Sequence, residues 1–114
     1  MKPDGVRGHL DLVLLGILAD GAGHGYRVIM ELRARTEGAL DLPEGSVYPA
    51  LHRLEKAGLL ASDWEAGPVR RRRVYRLTEQ GHAALATGRR DWRALVAAID
   101  AVVVPPARIS EGLA

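Results

Sequence analysis

Two clusters of side chains in this sequence can do chemistry on a polyanion. The stretch GSVYPALHRLEKAGLL sets Tyr48, His52 and Lys56 four residues apart, with Pro49 and Arg53 beside them. At about 100° per residue, that spacing lines them along one side of a helix. Val47, Ala50, Leu51, Leu54 and Ala57 fall on the other side, so the segment reads as a helix with an apolar back and a basic front. Further on, AGPVRRRRVYR places five arginines between Arg70 and Arg76. A guanidinium is always charged and its planar fork of donors matches both phosphate oxygens and the acceptor edge of guanine. Either cluster alone is an ordinary solvated surface. Their combination at this separation points to nucleic acid.

Other chemistries find little support. The chain has no cysteine, which removes disulfides and thiolate metal sites. The histidines at 9, 24, 52 and 82 show no H-x-x-x-H or carboxylate-flanked spacing, so no metal is expected. DGAGHGY carries glycines at 21, 23 and 25, but a phosphate loop should follow a strand and this segment follows a helical pattern. No nucleophile is paired with a base. The expectation is a protein that binds rather than catalyses, without a cofactor. Net charge is only +2 although the pI is near 9.4, so the positive charge acts through its local clustering.

These side chains need elements to hold them. With 114 residues the chain is one domain of ordinary size, long enough to bury a core. A first helix is expected over Leu10 to Ala19, apolar nearly all round, with Gly21 after its end. Its apolar run, bounded by Asp11 and Asp20, is far short of the roughly 18 residues a membrane span needs. The start MKPDGVRGHLD lacks the order of a signal peptide, so a cytoplasmic location is expected. A second helix runs from about Gly25 to Arg35 and buries Tyr26, Ile29 and either Leu32 or Val28. The third helix starts in one of two ways: Pro43 takes its first position, or Ser46 caps it and Pro49 lies in its first turn. Gly58 ends it.

The rhythm then changes. Leu60, Ser62 and Trp64 alternate with their neighbours, AGP signals a turn, and Tyr75 shares a face with Leu77. This predicts a two-stranded hairpin with its arginines beside the turn and Trp64 over the core edge. Thr78 followed by Glu79 starts a last helix that runs to about Val103. Leu85, Trp92 and Ile99 recur every seven residues, with Leu95 and Val102 at the alternate seam position and Val96 widening the stripe. Gly88 falls on that seam, a weak point of about 1 kcal/mol relative to Ala. Such a helix calls for a second copy of itself. Trp92 would approach its twin there, either as packing or as the wall of a pocket for a flat aromatic effector.

The order helix, helix, helix, strand, strand, long helix is mostly α with a small β-hairpin: a winged helix-turn-helix followed by a long C-terminal dimerisation helix. Its parts are expected at 1–78 for the DNA-binding domain, 79–104 for the dimerisation helix and 105–114 for a loose tail. The second helix of the pair enters the major groove. Arg53 and His52 are then placed for base edges, Ser46, Tyr48 and Lys56 for phosphates, and Pro49 lies on the same face. Arg70, Arg71, Arg72 and Arg73 sit at the wing tip for phosphates or a minor groove. A winged helix used only for protein interaction is the rival reading; it would predict a neutralised face, which YPALHRLEK does not offer.

RGHLDLVLLGIL, HGYRVIMEL, GSVYPALHRLEKAGLL and RRVYRLTEQG together resemble the PadR family of transcriptional regulators, in its short form with a single C-terminal helix. The resemblance covers about Arg7 to Gly81. It implies a homodimeric repressor on an inverted-repeat operator in double-stranded DNA, released by a small molecule or another signal. It also implies DNA contacts at Tyr48 and at the basic residues of the third helix and the wing. The turn AGPVRRRR and Gly88 depart from the family's pattern, in wing shape and in dimer geometry respectively.

Overall fold

The computed structural model describes residues 9–106. In chain order these form α1 Leu10–Leu18, β1 Gly23–His24, α2 Gly25–Arg35, α3 Glu44–Lys56, β2 Leu60–Glu65, β3 Arg72–Leu77 and α4 Glu79–Val103. The fold is a winged helix-turn-helix with a long C-terminal helix. Arg7 and Gly8 of the first motif lie outside the described residues, as does the expected loose tail beyond Pro106. Among the described residues, no helix is long and apolar enough to cross a membrane.

The core lies where three helices meet. Leu14, Leu15, Ile17 and Leu18 of α1 pack with Val28, Ile29 and Leu32 of α2 and with Val47, Ala50, Leu51 and Leu54 of α3. Leu14, Val47 and Leu51 have no exposed surface, so truncating any of them opens a cavity costing about 2–5 kcal/mol. Tyr26 departs from expectation: it is 57% exposed. It lies off the buried face of α2, which is made by Gly25, Val28, Ile29 and Leu32. A Cβ on Gly25 would stand 2.3 Å from Tyr48 Cε1, so only glycine lets the phenol in.

The expected two-stranded hairpin is a three-stranded antiparallel sheet in the order β1-β3-β2. β1 pairs Gly23 with Tyr75 and His24 with Val74. It was invisible in sequence because two residues carry no periodicity, and His24 does two jobs with one extended backbone. While its strand pairing holds, its Nδ1 also accepts the Arg27 N–H at 3.2 Å as the N-cap of α2.

The start of α3 matches neither alternative. Pro43 is the N-cap, extended at φ −77 and ψ 154, and its carbonyl accepts from Ser46 N–H at 3.0 Å and Val47 N–H at 3.1 Å. Ser46 is therefore inside the helix, and Pro49 lies beyond the first turn. Having no N–H, Pro49 leaves the Gly45 carbonyl without its helical donor. The helix ends in a Schellman turn: Gly58 at φ +83 lets Leu59 N–H reach Leu54 O at 3.0 Å.

α4 has two halves of different character. Thr78 joins it to the rest: its hydroxyl accepts from Gly81 N–H at 3.0 Å and donates to Gly58 O at 2.6 Å. Leu85, expected on the dimer seam, is 2% exposed and belongs to the chain's own core. The heptad count cannot see this, because the first turns of α4 lie against α1 and the sheet. Gly88 is a close approach rather than a flaw. A Cβ there would lie 2.7 Å from Leu12 Cδ1, and the helix runs through it unbroken. Beyond it Trp92, Leu95, Ile99, Val102 and Val103 are exposed and Val96 is half-buried.

Candidate nucleic-acid interface

On α3, Pro49, His52, Arg53 and Lys56 are exposed, while Ser46 and Tyr48 are half-buried. The buried apolar positions Val47, Ala50, Leu51 and Leu54 fix which side faces out. Tyr48 is wedged against Gly25. Burial, and next the Glu44 carboxylate, push its phenol above the ordinary tyrosine value, while Arg70 and a hydrogen bond from the Tyr26 backbone pull the other way. It therefore stays a neutral hydroxyl that can donate to a phosphate. The His52 ring lies 6.4 Å from that of Tyr75, tilted by 41°.

Arg53 is not free-standing. Its Nη1 donates to Asp11 Oδ2 at 2.8 Å, across from α1, and this bond followed by the carboxylate charge raises its pKa further.

The wing is built around a residue that sequence reasoning misplaced. Trp64 is 54% exposed rather than covering the core edge. Burial along β2 fades from Leu60 to Glu65 as the hairpin leaves the body, so alternation stops reporting the core beyond Ser62. Trp64 pairs with Arg73 across the hairpin. The guanidinium carbons of Arg71 and Arg73 sit 4.9 Å and 5.2 Å from its ring centre, in cation–π range. Arg73 also lies 3.4 Å from Glu55 Oε2, which accepts the Ser62 hydroxyl at 2.6 Å. At the foot of the wing Arg76 bonds Asp63 at 2.6 Å.

Arg72 approaches His24 Nε2 at 3.2 Å. Because His24 Nδ1 accepts from Arg27, the neutral ring carries its proton on Nε2 and has no lone pair to offer Arg72. Burial first, then the charges of Arg72 and Arg27, hold His24 below the usual histidine value, with Glu65 pulling the other way. The ring stays neutral and Arg72 keeps its donors for another acceptor.

Together these residues wall a groove of about 610 Å³ between the wing and the helix pair. His24, Tyr26, Tyr48, His52, Trp64 and Arg70 to Arg73 all line it, so the arginine run shares one concavity with Tyr48 and His52 of the α3 front. Ser46, Pro49, Arg53 and Lys56 lie outside its lining. A second cavity of about 200 Å³ lies against the long helix, lined by His9, Leu12, Gly88, Asp91, Trp92 and Leu95. There the His9 and Trp92 rings meet edge-on at 5.0 Å. Among the described residues, no three metal-binding side chains cluster. The contacts of Asp11 and Glu55 and the capping bond of His24 escaped the sequence reading, and Trp64 was placed over the core edge rather than beside the wing arginines.

A basic, aromatic groove between a recognition helix and a wing defines a winged-helix DNA-binding protein. The sequence model of the Transcriptional regulator PadR-like family matches residues 14–87, and the chain belongs to that family of DNA-binding transcriptional regulators. It is 40% identical over 84 residues to the transcriptional regulator Rv3488 of Mycobacterium tuberculosis, covering 74% of this chain and 76% of that one. A transcriptional regulator from Clostridium thermocellum superimposes with a TM-score of 0.81 at 29% identity, covering 88% of this chain and 98% of that one. A PadR family regulator from Eggerthella lenta gives 0.79 at 27% identity, covering 90% and 88%.

Proposed function

We propose that the protein is a cytoplasmic homodimeric repressor that reads an inverted-repeat operator and leaves it when a flat aromatic effector binds beside Trp92. The shared groove of α3 and the wing carries the DNA part of this reading. Tyr48, Ser46 and Lys56 meet phosphates, Arg53 and His52 meet base edges with Pro49 packed beside them, and Arg70 to Arg73 follow the neighbouring backbone. The exposed stripe of Trp92, Leu95, Ile99 and Val102, flanked by Val96, supports the dimer. It repeats at the coiled-coil spacing and leaves large side chains in water that a second copy would cover. Two-fold symmetry then sets half-sites about one helical turn apart, roughly 10 base pairs. The apolar cavity beside Trp92 supports the effector.

The test is a fluorescence-anisotropy titration with DNA from the gene's own upstream region against random duplex, at two salt concentrations. Tight, salt-sensitive preference for the upstream fragment is expected; equal weak binding to both would refute a specific repressor. For the dimer, Leu95→Glu places a charge in the apolar stripe and is expected to yield monomers that lose tight operator binding. A variant still dimeric by light scattering would put the interface elsewhere.

A further inference from the structure

The recognition helix does not aim Arg53 by itself. Its contact with Asp11 joins α3 to the first turn of α1, and among the described residues it uses Nη1 alone. Nη2 and Nε remain for another acceptor. With both side chains about half exposed, the pair adds little to stability, so its value lies elsewhere.

Asp11 stands on a fixed base. Leu12 fills the notch that Gly88 leaves in α4, and His9 meets the edge of Trp92. An arginine has about 2 kcal/mol of rotamer entropy to lose when it is ordered. A carboxylate that already holds one arm reduces what remains to be lost on binding and sets the direction of the free edge. The pair is also electrically neutral. Toward a phosphate, Asp11 cancels most of what Arg53 would gain. Toward a guanine edge, which carries acceptors but no net charge, directional hydrogen bonds survive that cancellation.

We propose that Asp11 is a positioning residue for base readout: from α1 it turns the free edge of Arg53 toward a guanine rather than toward the phosphate backbone. This rests on the DNA reading given under Proposed function.

The probe is duplex DNA recovered by the wild-type protein from a randomised pool, with each base pair then substituted in turn. Wild type, Asp11→Asn, Arg53→Ala and the double variant are compared by competition anisotropy, with thermal melts to show that each is folded. Asp11→Asn is expected to lose about fivefold or more of the preference at the base pair where Arg53→Ala loses it. Its affinity for random duplex should hold or rise slightly, and the double variant should lose no more preference than Arg53→Ala. Unchanged preference in Asp11→Asn would overturn the proposal. So would an equal gain on selected and random DNA, which would make Asp11 a mere negative charge near the backbone. A pool from which the wild type enriches nothing would sink the DNA reading itself, a result separable from enrichment that Asp11→Asn leaves intact.

Discussion

The recognition helix and the wing use the same residue type under opposite electrostatic conditions. On α3, Arg53 is matched by a carboxylate at 2.8 Å. On the wing, Arg71 lies over the neutral Trp64 ring and Arg72 beside a histidine held neutral. Compensation along β3 follows distance from the body: Arg76 has Asp63 at 2.6 Å, and Arg73 has Glu55 only at 3.4 Å. A compensated arginine keeps its direction and gives up long-range attraction. An arginine backed by an aromatic ring keeps its charge for phosphates. On the proposed DNA reading, the difference separates base readout from phosphate holding.

If that division is right, the largest effect comes from removing charge at the wing. Arg71→Ala combined with Arg73→Ala should weaken selected and random duplex alike, by about tenfold or more, and lower the salt slope by about one to two, Arg73 being partly matched by Glu55. A slope that does not move would take the wing off the DNA. Arg53→Ala sharpens the contrast from the other side. It should cost on the order of 1–3 kcal/mol at a single base pair and barely alter the slope, read by the same titrations over several salt concentrations. If instead the slope falls by one, Arg53 is a phosphate contact.

Trp64→Leu should act like a weaker wing mutation. It leaves every charge in place but removes the ring that Arg71 and Arg73 rest on, worth about 0.5–1 kcal/mol at an exposed site. A few-fold loss on all sequences with the slope preserved is the expected result.

The smallest effect is one of pH. His24 is held below the ordinary histidine value, so the folded protein prefers it neutral. Its contribution is present above the unfolded value, about pH 6.5, and is lost as pH falls through the lower folded value, because the unfolded chain takes the proton first. Protonation takes the lone pair that accepts the Arg27 N–H, so the loss is felt as a weakened cap on α2. Melting curves between pH 7.5 and 5 should show this component, and His24→Asn, a cap that does not titrate, should lack it.

Much of this division was legible in the sequence, but not its cause. The apolar back of α3 and the arginine run announced themselves because periodicity and charge clustering are local properties. Asp11 could not be linked to Arg53 from the sequence, since their contact depends on how α1 crosses α3. Trp64 was misread because alternation marks the core only while the sheet lies on it. β1 was missed because two residues carry no periodicity, and Pro43 because an extended proline before a helix looks like one inside it. Leu85 and Gly88 follow the same rule. The heptad belongs to the helix, whereas the point at which the helix leaves the body belongs to the packing.

The joint at Thr78 has a mechanical consequence. One residue separates β3 from α4, and its hydroxyl ties the start of the long helix to the end of α3. The 25-residue helix, about 37 Å long at 1.5 Å per residue, is thus a rigid arm bolted to the reading head. A rotation imposed at its far end reaches α3 as a rotation of the whole head, and a residue inserted at the joint would turn the arm by about 100°. In the proposed dimer each copy is half of a caliper, whose jaw is set by where the arm is gripped.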